Sequence, residues 1–271
     1  VQRGVVMEEF KQRCLNQPYG DVGHLLRPLA YEVHPYRWPT IGKELSHIAN
    51  ATLDEVKDFF YRYYAPNNAV LAVTGNISWT DTVRLAEKWF APVPRRDVPV
   101  RSLPREPLQT GERRRTVERN VPLDALFMAY HMCSREDADY YAFDILSDIL
   151  SNGRSSRLNR RLVQEQKLFS SLDAYISGTR DAGLVHISGK PAAGVSLEQA
   201  EAAVRKELDE LKNALVGTQE LEKVKNKFES AQIFGNINYL NVATNLAWFE
   251  LAGQAEDIDR EVDKYRSVTA E

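Results

Sequence analysis

The sequence predicts an α+β protein made of two similar domains, each a mainly antiparallel sheet with helices packed on it. Three observations lead to this class: helical and strand patterns occur in separate runs, the mixture occurs twice, and a stretch rich in proline and arginine divides the two occurrences. The chain has 271 residues, and its hydrophobic fraction of 43% is sufficient for cores of this size. We expect a first domain over 1–94, an interdomain linker over 95–115 and a second domain over 116–271.

The first domain is predicted to be mainly helical, with one strand. Helices are expected over 1–17 and 21–31, and a capping box at Thr52 to Glu55 begins a third. The apolar run from Ala69 to Thr74 predicts a buried strand, and an amphipathic helix follows it. The residues expected to face the core are Val56, Phe59, Phe60 and Tyr63 on the third helix and Val83, Ala86, Trp89 and Phe90 on the fourth.

Residues 92–119 concentrate prolines and arginines and lack hydrophobic periodicity, which is typical of a linker. Acids interspersed among the arginines favour a salt-bridged surface over a phosphate-binding one. In the second domain, strands are predicted over 125–132, 169–177 and 184–188, and helices over 140–150, 155–166, 196–215, 218–234 and 237–252. A capping box at Ser196 to Gln199 begins the longest of these helices.

The composition excludes several classes of protein. The net charge of −3 provides no basic surface for nucleic acid, and no apolar run approaches the roughly 18 residues of a membrane span. We therefore expect neither a nucleic acid nor a membrane as partner. With only Cys14 and Cys133 present, a disulfide framework is excluded.

The chain begins at Val1 and ends at a helix-capping pattern, so we interpret it as a piece of a longer protein, with a cytoplasmic location as the default expectation.

Few side chains point to chemistry by themselves. The histidines at 24, 34, 47, 131 and 186 include no pair spaced by three or four residues, so no helical metal-binding pair exists, and each is expected at the surface or in a loop. The adjacent acids Glu8 and Glu9, taken without context, indicate a solvated helix edge.

An ordered set of motifs changes that interpretation. The set comprises Arg3–Glu9, Pro18–Gly20, His34–Gly42, Phe59–Asn68, Leu71–Asn76 and Gly153–Leu158. Together these motifs resemble the pitrilysin/insulinase zinc peptidases, the group with an inverted HxxEH motif that includes mitochondrial processing peptidase. The resemblance covers nearly the whole chain, and it implies that both domains are incomplete here.

The resemblance implies a zinc site whose larger part lies outside this chain. In the family, the two histidines of HxxEH bind zinc, the glutamate between them acts as general base, and a glutamate on a second helix is the third protein ligand. Glu9 matches that third ligand, and Glu8 is expected to point away. Gln2 stands where the family usually has another acid, seven residues before the ligand. We expect Gln2 to lie beside the metal site without binding the metal, with the hydrogen-bonding capacity of that acid but not its charge. Because HxxEH is absent, we expect no catalytic residue in this chain, no activity and only weak zinc binding.

Two further positions depart from the family pattern. Val163 and Ser170 align with an arginine and a tyrosine that help to hold substrate in many members, and neither can replace those side chains. Either a homologous partner subunit supplies them, or the two positions are simply divergent. Two functions therefore stay open: a fragment of a zinc metalloendopeptidase that hydrolyses peptides or small unfolded proteins, or a non-catalytic homologous subunit that acts as a scaffold. A homologous subunit or a homodimer is the expected partner arrangement, and substrate-binding residues are not assigned.

Overall fold

A computed structural model describes residues 1–271. The first half contains five helices, which are α1 (Gln2–Phe10), α2 (Val22–Ala30), α3 (Leu45–Asn50), α4 (Leu53–Tyr63) and α5 (Trp79–Phe90). A π-helical turn, Lys11–Leu15, continues α1. Residues 91–125 contain neither a helix nor a strand.

The second half contains a three-stranded antiparallel sheet. Its strands are β1 (Leu126–His131), β2 (Phe169–Ile176) and β3 (Leu184–Pro191), in the spatial order β1-β3-β2. Ile187 in the central strand is paired with Met128 on one side and Ala174 on the other. The helices of this half are α6 (Tyr140–Ser151), α7 (Leu197–Asn213), α8 (Thr218–Gly235), α9 (Tyr239–Ala252) and α10 (Glu261–Ser267). A π-helical segment, Asn159–Glu165, precedes β2.

The hydrophobic core lies mainly in the second half, in two clusters. One lies between the sheet, the π-helical segment and α7, and it includes Leu162, Ile187 and Val204. The other joins α6 to α8 and α10 and includes Ile149 and Val224. Gly189 in β3 is required for the first cluster, because a Cβ there would lie 2.7 Å from side-chain atoms of Phe169 and Leu172.

The α+β class and most of the predicted elements are confirmed. The three strands of the second half form the expected antiparallel sheet, and the helices predicted over 140–150, 196–215, 218–234 and 237–252 are present. The helix predicted over 155–166 is represented by the shorter π-helical segment Asn159–Glu165. Both capping boxes form: Thr52 and Glu55 bond reciprocally at the start of α4, and Ser196 and Gln199 do so at the start of α7.

Two expectations for the first half are wrong. The apolar faces of α4 and α5 do not point into a core, since Phe59 is 59% exposed and Trp89 is 66% exposed. Ala69 to Thr74 is extended but forms no strand, because no other strand lies beside it to accept its backbone hydrogen bonds. Periodicity identified the apolar faces correctly but could not show whether a layer covers them.

The first half is attached to the second through α2, which packs against β1. Tyr31, directly after α2, is 3% exposed, and its hydroxyl donates a hydrogen bond to the Ala182 carbonyl at 3.0 Å. His131 at the end of β1 bonds through Nε2 to the Ala30 carbonyl at 2.8 Å. The sheet therefore has helices on both faces.

None of the helices combines the length and the apolar character needed to cross a membrane.

Candidate functional site

The predicted zinc ligand, Glu9, lies in the last turn of α1. Its side chain is 46% exposed, and its carboxylate pairs with Arg13 at an N–O distance of 2.9 Å. The neighbouring Glu8 makes a separate pair with Lys11 at 2.6 Å. Exposed pairs of this kind contribute about 0–1 kcal/mol to stability, so a metal cation could displace Arg13 or Lys11 from its carboxylate at little cost.

The residues of this chain do not assemble a metal site. Zinc requires three or four ligands at about 2 Å, and nowhere do three histidine, cysteine, aspartate or glutamate side chains come close enough to hold an ion. Gln2 lies two helical turns before Glu9 on the same side of α1, and it is exposed. Glu9 can therefore contribute one carboxylate to a metal site but cannot form one.

The two positions that depart from the family pattern have structural roles. Val163 packs against the cluster that contains Leu162 and Ile187. Ser170 donates a hydrogen bond from its hydroxyl to the Lys190 carbonyl at 3.1 Å, across the edge of the sheet. Neither side chain presents a free hydrogen-bond donor to a ligand.

A cleft of about 1720 Å³ lies between α2, residues 103–119 and β1. β1 is an edge strand, because β3 is its only neighbour. Met132 donates its N–H to the Gly183 carbonyl at 3.0 Å, which fixes the register so that Phe127 and Ala129 direct their backbone N–H and C=O groups away from β3. The floor of the cleft is thus a strand edge that can accept an additional strand.

A buried histidine lies at one end of the cleft and joins three segments of the chain. His34 is 4% exposed; its Nδ1 accepts a hydrogen bond from the Tyr36 N–H, which places the proton on Nε2 in the neutral ring. Nε2 lies 3.3 Å from Oδ2 of Asp181. Arg101 pairs with the same carboxylate and holds the pKa of Asp181 below its usual range. This histidine lies in a loop, one of the two locations expected from the sequence, but it is buried there as a structural junction.

Glu106 fixes the wall of the cleft that is formed by residues 103–119. Its carboxylate accepts three backbone N–H groups, from Glu32 at 2.6 Å, Val33 at 3.1 Å and His34 at 2.8 Å. Burial opposes ionisation of Glu106, but these three donors outweigh it and lower the pKa of the carboxyl group. Glu106 therefore helps to hold residues 103–119 against the loop that follows α2, together with Arg113, which donates to the Leu29 carbonyl at 2.8 Å and pairs with Glu32.

His186 is a second buried histidine, in the central strand. Its Nε2 lies 2.8 Å from the Ser177 hydroxyl, and Tyr175 stacks on its ring. Burial, with a smaller contribution from Arg27, lowers the pKa of His186 to about 4, so the ring is neutral at physiological pH. No carboxylate pairs with His186, so the Ser177–His186 contact lacks the third group of a catalytic triad.

Four of the eight arginines of residues 92–119 pair with acids, and these are Arg101, Arg113, Arg114 and Arg119. Arg114 bonds to Glu201 at 2.6 Å and to Glu112 at 2.7 Å, and Arg205 joins both acids to the same network. The Arg114 guanidinium lowers the pKa of Glu201 to about 2, despite partial burial. Cations neutralised in this way are not available to bind a phosphate backbone.

Comparisons with known proteins identify the family. The profile of the family described as "Peptidase M16 inactive domain" matches residues 50–228. "Zinc protease PqqE" of Helicobacter pylori is 30% identical over 227 residues, which cover 83% of this chain and 51% of that protein. A probable mitochondrial-processing peptidase subunit beta of Schizosaccharomyces pombe is 25% identical over 170 residues, 59% of this chain and 37% of that protein.

The fold agrees with these similarities. A crystal structure of a protease from Helicobacter pylori superposes with a TM-score of 0.92 and 26% identity, covering 99% of this chain and 66% of that one. The chain spans about half the length of the curated relatives that it matches first. The resemblance to pitrilysin/insulinase zinc peptidases is confirmed, and the chain belongs to the Peptidase M16 inactive-domain family.

Proposed function

We propose that this chain is part of a zinc-dependent metalloendopeptidase that hydrolyses peptides or small unfolded proteins. The observation that carries the proposal is the exposed carboxylate of Glu9 at the end of α1, which the motif order of the sequence predicts to be a zinc ligand. The other ligands and the general base come from polypeptide outside these 271 residues. The names of two curated relatives, both zinc proteases, support the same chemistry.

The cleft beside β1 is the best candidate for a peptide-binding surface. Its floor offers alternate backbone groups of an edge strand, and an extended peptide can pair with such an edge independently of its sequence. β1 has six residues and is about 20 Å long, so it can pair with about six residues of an extended peptide. This mode of binding suits an enzyme that acts on unfolded chains.

A second candidate function is a non-catalytic subunit that pairs with an active homologue. The description of the family as an inactive domain favours it. It also agrees with the prediction from the sequence that Val163 and Ser170 stand where many members carry substrate-holding side chains; here Val163 packs against the core and Ser170 bonds to the Lys190 carbonyl. A relative whose name marks it as a subunit of mitochondrial processing peptidase supports a homologous partner.

The complete polypeptide distinguishes the two candidates. It should be purified alone and assayed with an internally quenched peptide before and after zinc chelation. Hydrolysis that chelation abolishes and zinc restores is expected for the peptidase. Hydrolysis only after addition of a homologous subunit would support the two-subunit arrangement, and no hydrolysis in either case would overturn the proposed activity.

A further inference from the structure

The cleft beside β1 has one apolar wall, which α2 forms. The residues of α2 that line the cleft are half-buried and follow the spacing i, i+3, i+4, i+7, so they make a single stripe along the helix. They are Val22, Leu25, Leu26 and Leu29. This stripe is called the apolar wall.

The first turns of α7 form a wall of the opposite character, which is called the polar wall. Its charged residues that line the cleft are Glu198, Glu201 and Arg205. Arg205 pairs with Glu201 at 2.8 Å, and Arg114 pairs with the same carboxylate at 2.6 Å. An apolar side chain placed here would take water away from these ion pairs without offering a hydrogen bond in return.

The side chains of β1 alternate between the two walls. Phe127 contacts the ring of Tyr19, just before α2, at 6.1 Å between ring centres, and Ala129 packs against the cluster that contains Tyr31. Met128, between them, packs in the cluster shared by the sheet and α7. Odd-numbered positions of β1 therefore face the apolar wall, and even-numbered positions face the side of the polar wall.

The open backbone groups of β1 belong to the same residues that face the apolar wall. Phe127 and Ala129 direct their N–H and C=O groups away from β3, whereas Met128 bonds to β3. In an added strand, a residue directly opposite another has its side chain on the same face of the sheet. Peptide residues that bond to Phe127 and Ala129 would thus direct their side chains to the apolar wall, and the residue between them would direct its side chain to the polar wall.

We propose that this cleft selects extended peptide segments in which apolar and polar residues alternate, in the phase that bonds the apolar residues to β1. The inference rests on the proposed function for the presence of a peptide in the cleft, and it adds the side-chain pattern that such a peptide must have. Ala129 has a small side chain, so a large apolar residue opposite it has room beside α2. The opposite phase is disfavoured because it brings apolar side chains against the ion pairs of Glu201.

Two labelled peptides of identical composition test the pattern. Each has four leucines and four serines between terminal lysines; in one they alternate singly, and in the other they alternate as pairs. Binding to the complete polypeptide is measured by fluorescence anisotropy after zinc chelation, so that hydrolysis does not interfere. The singly alternating peptide should bind on the order of 10-fold more tightly, since the paired sequence directs apolar side chains to the polar wall. Equal affinities, or no binding of either peptide because another segment of the polypeptide fills the cleft, would overturn the inference.

Backbone methylation tests the phase without any change in the protein. The alternating peptide is N-methylated either at its leucines or at its serines, with the same number of methyl groups. Methylation at the leucines should weaken binding on the order of 10-fold more than methylation at the serines, because only the leucine N–H groups bond to β1. An equal effect of the two modifications would overturn the assigned phase.

A substitution in the apolar wall tests which wall reads the leucines. Leu25→Gln should bring the affinities of the alternating and paired peptides close together, whereas Leu53→Gln, an exposed control on α4, should preserve the difference. An undiminished preference in Leu25→Gln would overturn the role of α2.

The zinc-loaded complete polypeptide separates this inference from the proposed function. Hydrolysis of both peptides at the same rate would overturn the selectivity and leave the peptidase activity intact. Selective binding by a polypeptide that hydrolyses no peptide would refute the activity and leave the assignment of the cleft intact.

Discussion

Replacing Glu106 by alanine should loosen the attachment of residues 103–119 to the loop that follows α2, where the Arg113 contacts with Leu29 and Glu32 remain. The carboxylate is the acceptor for the N–H groups of Glu32, Val33 and His34. A hydrogen bond to a charged group contributes about 1.5–3 kcal/mol when buried. This site is only half-buried and the freed amides can bond to water, so we expect a total loss of about 2 kcal/mol for the local closure.

Amide hydrogen exchange measures that loss directly. A change of about 2 kcal/mol corresponds to roughly 30-fold faster exchange at Glu32, Val33 and His34. Glu106→Gln should give an intermediate value, since one carbonyl oxygen remains as an acceptor. Glu118→Ala is the matched control, because it removes an exposed glutamate of the same segment without losing a backbone contact. Unchanged exchange in Glu106→Ala would refute the role assigned to this carboxylate.

The same contact should depend on pH. The lowered pKa of Glu106 means that its contribution is complete above the ordinary glutamate pKa of about 4.3 and disappears as the pH falls through the lower value of the folded state. Protection of the three amides should therefore persist at pH 5 and be lost under more acidic conditions. Protection that is lost well above pH 5 would contradict this assignment.

Three further predictions concern the second half. His186→Gln should reduce the loss of stability between pH 6.5 and 4, because folded His186 stays neutral while the unfolded chain takes up a proton. The pKa of about 4 limits this contribution of His186 to the free energy of unfolding to about 3.4 kcal/mol, and partial solvent access makes about 2 kcal/mol the effect expected in urea unfolding. Leu162→Ala should cost about 3 kcal/mol in the same assay, against at most about 0.5 kcal/mol for the exposed Leu53→Ala, and equal losses would contradict the core assignment. Gly189→Ala should destabilise by about 2 kcal/mol, because its Cβ collides with Phe169 and Leu172, and a neutral effect would show that these side chains move aside freely.

The second half was predictable because its signals are local. Alternation of apolar residues over 169–177 and the capping box at Ser196 to Gln199 each depend on side chains a few positions apart, and both correspond to observed elements. The first half failed where a local signal needed a distant partner. The apolar face of α4 was recognised correctly, but the layer that would cover Phe59 cannot be inferred from periodicity.

The residues of the candidate site also differ in whether local signals or distant contacts reveal them. Motif order predicted Glu9 as a zinc ligand without any knowledge of its surroundings, whereas the roles of His34 and Glu106 arise from contacts with residues far away in the sequence. His34 belongs to the motif His34–Gly42, which supports the family resemblance. The two prolines of this motif were the only signal of a structural role for His34. Nothing in the pattern around Glu106 distinguished it from the other acids of residues 92–119.

The most direct test of the account is the zinc content of the complete polypeptide and two glutamate variants. Glu8 and Glu9 are adjacent on α1, and each pairs with a cation of the π-helical turn that continues α1, so Glu8→Gln is a matched control for Glu9→Gln. The 271-residue chain should bind zinc only weakly, since it offers a single ligand. We expect the complete polypeptide and Glu8→Gln to retain about one zinc ion each and Glu9→Gln to lose it; equal zinc retention in both variants would contradict the assignment of Glu9 as a ligand.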